Sequence, residues 1–329
     1  MRIAVSGSIA DDYLLTFPGR FADMIIAEQI DRLSLSFLAD DLTHHRGGIG
    51  ANIAYGMGQL GTRPVLIGAV GIDFEAAYRP WLVSNGVDCT GVYLSDKATA
   101  RFLCTTDRVQ SQIATFYAGA MGDSHLIALP PIVEATGGLD LLVVAPAGPE
   151  GMARHTREAH ELGIDVMADP SQQLARLEGP AIRELVEGAT YLVCNDYERT
   201  LITNKTGWSE AELLSQVRVL ITTHGAKGVT IEQNGITGSV IAAVAPNPGA
   251  TLEPTGAGDA FRAGFLSGLH SGLALERSAM LGCAVATTVL ETAGPQDYQI
   301  KPGDLEQRLA GAYGHDAADR IMAALALEA

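Results

Sequence analysis

Six short apolar runs, at residues 3–6, 65–70, 139–145, 164–168, 191–194 and 219–222, recur along the chain with almost no polar alternation. Strands that read this way are buried on both faces, as in a parallel sheet covered by helices. The intervening segments fit helices. Residues 51–60 follow a glycine-rich turn and end at Gly61, and residues 149–162 end at Gly163. Residues 209–217 open on Ser209, with Glu212 three residues later completing a capping box. Strand, helix, strand in this rhythm predicts right-handed βαβ units and an α/β sandwich. A chain of 329 residues, 47% hydrophobic and 18% charged, is long and apolar enough for one large core with a small second domain.

Two segments break the rhythm, residues 14–46 and 98–118. Leu33-Ser34-Leu35-Ser36-Phe37-Leu38 alternates with period two, and residues 100–105 and 112–116 read as antiparallel strands. The expectation is a small β lid, discontinuous in sequence, beside a core built from residues 1–13, 47–97 and 119–329. The alanine-rich stretch after Asp316 reads as a final surface helix.

Charge narrows the partners. Lys and Arg number 22 against 38 Asp and Glu, a net charge of −16. That disfavours a nucleic-acid backbone, which needs clustered basic residues. It leaves room for one small phosphate ligand held by backbone N–H groups. Cys89, Cys104, Cys194 and Cys283 lie far apart with no C-x-x-C, so reduced core thiols are expected. Residues 1–5 read as a first strand without the apolar stretch of a signal peptide, and no run reaches the length of a membrane span. The expected compartment is the cytoplasm.

The most informative stretch is Glu253-Pro254-Thr255-Gly256-Ala257-Gly258-Asp259-Ala260-Phe261-Arg262. A curled glycine loop that opens a helix gathers unsatisfied N–H donors at the positive end of the dipole, a nest for a phosphoryl group. A carboxylate at Asp259 is odd in a pure anion site and sensible as a base for an attacking hydroxyl. On spacing alone, a helix-capping Asp beside a plain turn is an equal reading. No Walker loop occurs, and both G-x-G pairs lack the third glycine of a dinucleotide fingerprint. Arg46-Gly47-Gly48-Ile49-Gly50-Ala51-Asn52 reads as a hinge followed by a helix whose first turn carries Asn52, which can meet a diol. Taken alone, a turn and a helix start explain it as well. Asn195-Asp196-Tyr197-Glu198 follows the strand at 191–194, where open α/β sheets bind ligands. Asn195 and Glu198 can hold a hydrated Mg²⁺ or simply cap the helix.

In this order, Gly47-Gly48 with Asn52, Asn195-x-x-Glu198 and Thr255-Gly256-Ala257-Gly258-Asp259 resemble the motifs of the ribokinase-like (PfkB) carbohydrate kinases. The resemblance spans nearly the whole chain. Longer phrases, among them His45-Arg46-Gly47-Gly48, residues 169–176 and Thr206-Gly207-Trp208-Ser209-Glu210, are similar to the adenosine kinases of actinobacteria. It implies a three-layer α/β sandwich with a mainly parallel central sheet, a small β-sheet lid, and transfer of the γ-phosphoryl of ATP to a hydroxyl, here the 5′-hydroxyl of adenosine. A ribokinase or another sugar or nucleoside kinase of the family is the alternative.

By the same resemblance Asp259 is the base, and the amides of Gly256, Ala257 and Gly258 form the anion hole. Asn195 and Glu198 organise Mg²⁺ and the triphosphate, and Thr223, Gly225 and Gly228 contact the nucleotide. Asp12, Gly48 and Asn52 hold the ribose. Ser8, Ser36, Phe102, Phe116, Gln172 and Gln173 are further acceptor-site candidates, with Phe102 and Phe116 placed to stack on a purine or merely to pack the lid. Arg176 is a candidate for charge stabilisation on the phosphates. Helix 278–291 walls the adenine or belongs to the core. K⁺ is a possible further cofactor; Glu253 stands where the family usually has Asp, which puts K⁺ dependence in question, although backbone carbonyls can still serve. The lid run at 33–38 is expected to pair subunits into a homodimer.

Overall fold

The computed structural model describes residues 1–25 and 35–327. Its strands, in chain order, are β1 (Ile3–Ser6), β2 (Ala10–Phe17), β3 (Asp41–Gly47), β4 (Val65–Val70), β5 (Asp88–Leu94), β6 (Ala100–Asp107), β7 (Gln112–Tyr117), β8 (Leu141–Val144), β9 (Asp165–Ala168), β10 (Tyr191–Asn195), β11 (Val219–Thr223), β12 (Val229–Gln233) and β13 (Ile236–Ile241). The main sheet runs β13-β12-β11-β10-β9-β8-β1-β4-β5. From β11 to β5 every neighbouring pair is parallel, and the hairpin β12–β13 adds an antiparallel edge.

Side-chain alternation within β1 explains the three layers. Ile3 and Val5 join one buried cluster and Ala4 the other, one on each face of the sheet. The first face is covered by α1 (Ile49–Gln59), α2 (Phe74–Ser84), α8 (Ala257–His270), α9 (Leu275–Leu290), α10 (Pro302–Tyr313) and α11 (His315–Leu325). The second is covered by α3 (Leu129–Thr136), α4 (Pro149–Glu161), α5 (Gly179–Val186), α6 (Asp196–Thr206) and α7 (Glu210–Gln216). Helices α8 and α9 pack at glycine contact: a Cβ built on Gly264 would stand 2.7 Å from the Cα of Gly282. All four cysteines are buried free thiols. No helix among the described residues is long and apolar enough to cross a membrane.

The second sheet runs β3-β2-β6-β7, with β2 parallel to β6 and the outer pairs antiparallel. It begins at Ala10, so Asp12, expected in the core segment, lies on the small sheet.

The period-two run is a correction. Leu33 and Ser34 lie outside the described residues, and residues 35–38 are irregular. The alternation survives as burial without pairing: Leu35 and Phe37 are half-buried, Ser36 and Leu38 exposed. Phe37 packs on Phe17 and Phe21, with ring centroids 5.2 and 4.8 Å away. Pairing with β2 starts only where the Asp40 N–H donates to the Thr16 carbonyl at 2.9 Å. One-sided packing on an aromatic cluster gives the same pattern as a strand face, and among the described residues no strand pairs with residues 35–38.

Candidate active site

The carboxyl end of β1 leads into Gly7 and Ser8, against which the start of α1 is seated. The Ser8 hydroxyl accepts the Ile49 N–H at 3.0 Å, so Ser8 anchors the helix that carries Asn52. The approach is close enough that a Cβ on Gly50 would fall 2.7 Å from the Gly7 backbone. Gly48 turns the chain from β3 into α1 at φ 89°, a conformation that disfavours any side chain.

Opposite, Gly256 at φ 81° starts α8. Among the described residues the amides of Gly256 and Gly258 donate to no protein acceptor, whereas the Ala257 N–H turns back to the Pro254 carbonyl at 3.2 Å. Two of the three expected anion-hole donors are therefore free at the helix N-terminus, and Ala257 is drawn partly into its own turn. Asp259 does not cap α8. Its Oδ2 accepts a hydrogen bond from Asn52 Nδ2 at 2.8 Å, across from α1. Burial pushes its carboxyl up to about 7. Asn52 and Arg262 pull it down, and the charges of Asp169 and Asp12 push it further up. A carboxyl poised there can take a proton near neutrality.

Arg262, one turn along α8, forms a buried two-point ion pair with Asp169 at the end of β9, Nη2 to Oδ1 being 2.6 Å. Its Nη1 also donates to the Gly258 carbonyl at 3.0 Å. The pair fixes the nest to the sheet edge. Sequence reading missed Arg262, although its position one helical turn past Gly258 on a helix of small residues was the available signal.

The small sheet supplies a row of side chains on one face. Asp12 stands opposite His45 on β3 and Phe102 on β6, and Phe102 opposite Phe116 on β7. Gly47 leaves room for the Asp12 carboxylate: a Cβ there would meet Oδ2 at 2.5 Å. Burial, then the neighbouring Asp11 charge, raises Asp12 to about 6. Phe102 is half-buried and Phe116 exposed.

Asn195 ends β10 in register with Thr223, the last residue of β11. Of the two readings of Asn195 and Glu198, the structure shows the cap. Asn195 Oδ1 accepts the Glu198 N–H at 2.9 Å and Glu198 Oε2 accepts the Asn195 N–H at 2.8 Å, a full capping box. Asn195 Nδ2 and Glu198 Oε1 remain without partners among the described residues. No group of three His, Cys, Asp or Glu side chains gathers there on a metal position. This donor set fits a water-spanned contact to a nucleotide-bound cation and not a protein cage. In the adjoining turn Gly225 and Gly228 have φ 57° and 99°, and a Cβ on Gly228 would collide with the Ile241 carbonyl at 2.0 Å. His224 ties the turn to α6 through Asp196 at 2.7 Å.

Other candidates stand apart. Gln173 is buried with Nε2 donating to the Ala147 carbonyl at 2.8 Å, so its donor serves the fold. Gln172, Arg176 and Ser36 are exposed and make no side-chain hydrogen bond to the residues above. Helix α9 is buried over most of its length within the core.

The model of the pfkB family carbohydrate kinases matches residues 19–301. A nucleoside kinase of Methanocaldococcus jannaschii is 31% identical over 252 residues, 76% of this chain and 80% of that one. The solved structure of Burkholderia thailandensis nucleoside kinase in complex with inosine superposes with a TM-score of 0.81 at 34% identity, covering 95% of this chain and 98% of that one. Its complex described as ADP-inosine gives 0.79 at the same 34% identity, covering 95% and 96%.

Replacing Arg262 by Met should strand a buried carboxylate and cost about 3–5 kcal/mol of stability. Urea unfolding measures this. A loss below about 1 kcal/mol, the range of an exposed pair, would contradict the anchoring role.

Proposed function

The chain belongs to the pfkB family of carbohydrate kinases, and we propose that it is a nucleoside kinase that transfers the γ-phosphoryl group of ATP to the 5′-hydroxyl of adenosine. The observation that carries this reading is Asp259, held by Asn52 at the mouth of the free Gly256 and Gly258 amides. Asp259 takes the proton of the 5′-hydroxyl as that oxygen bonds to the γ-phosphorus. The bond to the bridging oxygen breaks, and ADP leaves with its electrons. The nest amides meet the charge on the transferring group, and positioning and electrostatics do the remaining work. The nucleotide enters as its Mg²⁺ complex over Thr223, Gly225 and Gly228, with Asn195 and Glu198 reaching the cation through water.

The acceptor side supports a base-bearing sugar. Asp12 can accept two ribose hydroxyl protons, and Phe102 and Phe116, in the same row, offer aromatic faces to a purine. Glu253 is folded back on Thr255, accepting its N–H at 3.1 Å and its hydroxyl at 2.7 Å. That engagement weighs against a K⁺ requirement. The small sheet exposes all of β7, and Ile113 and Tyr117 share the face opposite Phe102 and Phe116 with the exposed Leu42 and Leu103. We place a homodimer contact there.

ADP release with Mg²⁺, with and without K⁺, should be fastest with adenosine among adenosine, inosine, guanosine, ribose and fructose. Ribose turning over faster than every nucleoside would instead favour a ribokinase. Asp259→Asn should lower kcat by at least about 10³-fold with nucleoside binding kept within a few-fold; retention of a few per cent of kcat would rule out the base. Because the base acts as carboxylate, kcat should climb with pH and level off above about 7. At saturating ATP, kcat/KM for adenosine should fall more steeply below about 6, as Asp12 protonates. A profile flat down to pH 5 would contradict both. Phe102→Ala should raise KM for adenosine far more than for ATP, and equal effects would remove it from the acceptor site. Light scattering should give twice the chain mass, and a monomer at all concentrations would sink the dimer.

A further inference from the structure

Asn52 must present its nitrogen to Asp259, yet an amide has the same shape either way round. Turned over, its oxygen would face the carboxylate and the interaction would become repulsive. Near neutrality a protonated Asp259 could itself donate to that oxygen, so Asp259 alone does not fix the direction. The direction is fixed from behind. Gln296, 1% exposed in the loop after α9, donates from Nε2 to Asn52 Oδ1 at 2.9 Å. The same nitrogen donates to the Tyr78 hydroxyl at 2.6 Å. Tyr78 in turn donates to the Gly47 carbonyl at 2.7 Å. On the other side Gln296 Oε1 accepts the Trp81 indole N–H at 3.2 Å.

Both ends of this chain are one-way. An indole nitrogen can only donate and a backbone carbonyl can only accept. Trp81 therefore turns the oxygen of Gln296 toward itself, and the Gly47 carbonyl takes the only proton of Tyr78. The nitrogen of Gln296 is left for Tyr78 and Asn52, and the nitrogen of Asn52 for Asp259. The neighbours of Gln296 hold its loop in place. A Cβ on Gly256 would strike Pro295 at 2.5 Å, and Asp297 bonds His45 on β3 at 2.6 Å. Three consecutive residues thus touch the nest, the helix carrying Asn52, and the small sheet.

We infer that Gln296 is a positioning residue for phosphoryl transfer, locking the Asn52 side chain in the orientation that donates to Asp259. This rests on Asp259 being the base. It adds that a buried loop residue, acting through Asn52 and not itself among the expected substrate contacts, sets the base's aim and its readiness to ionise.

A double-mutant cycle on the full chain tests it, with adenosine and Mg²⁺-ATP, using Gln296→Met and Asn52→Ala singly and together. Gln296→Met should lower kcat about tenfold or more with KM for ATP within about twofold. The acid-side midpoint of kcat should move to higher pH, because the donation that favours the carboxylate is no longer enforced. In the Asn52→Ala background the same change should alter kcat less than about twofold. Trp81→Phe, which keeps the ring and removes only the N–H, should give the same upward pH movement with a smaller loss, and stands in if the Met variant does not fold. Full, additive loss in the Asn52→Ala background, or an unmoved pH midpoint in Gln296→Met and Trp81→Phe, would overturn the inference. Asp259→Asn run alongside separates the two levels. If it is inactive while the cycle is additive, only the role of Gln296 fails; if it is active, the base itself is wrong.

Discussion

The site turns on a carboxylate placed where two helices meet and given, among the described residues, a single side-chain donor. Asp259 sits in the first turn of α8, where free amides favour negative charge, and Asn52 donates to it from the first turn of α1. Burial works in the other direction and lifts the carboxyl to about 7. The balance leaves a carboxyl about half ionised at neutral pH, suited to the proton-accepting role proposed for it. Everything nearby serves that balance. Ser8 anchors α1, the Arg262–Asp169 pair anchors α8, and the glycine contacts at Gly7–Gly50 and Gly264–Gly282 bring the helices close to strand and to each other.

Such a carboxyl works against stability. One whose folded pKa is raised from about 4 to about 7 holds its proton more tightly folded than unfolded. Its contribution to the fold is complete below about 4 and is lost as pH rises through about 7. Asp12, raised to about 6, behaves alike over a lower window. Two carboxyls raised by burial and feeling each other's charge are what a site gains function from and a fold alone would not select.

Much of the architecture was legible because burial on both faces of a parallel sheet writes itself as apolar runs, and β1, β4, β8, β9, β10 and β11 each fall on one. The Ser209 capping box was legible because its two partners are three residues apart. The Asp259 nest was readable for the same reason, as its glycines and carboxylate are consecutive. What sequence could not give was contact across long separations. Gln296 meets Asn52 over 244 positions and Arg262 meets Asp169 over 93, and neither pair has local spacing to mark it. Residues 35–38 failed for a different reason, since an aromatic cluster imposes alternation without a ladder. Gln173 looked free because its partner, the Ala147 carbonyl, is backbone and carries no residue signature.

The family sets the class of chemistry; in the proposed reading the small sheet sets the acceptor, and that reading depends on the state of one carboxyl. Carbon-13 NMR titration of side-chain-labelled aspartate, comparing the wild-type chain with Asp259→Asn, observes that state directly. The expected result is one carboxyl resonance titrating near 7, absent from the variant. If the resonance lost in the variant titrates near 4, as an ordinary exposed aspartate does, the environment described here does not hold the base as claimed.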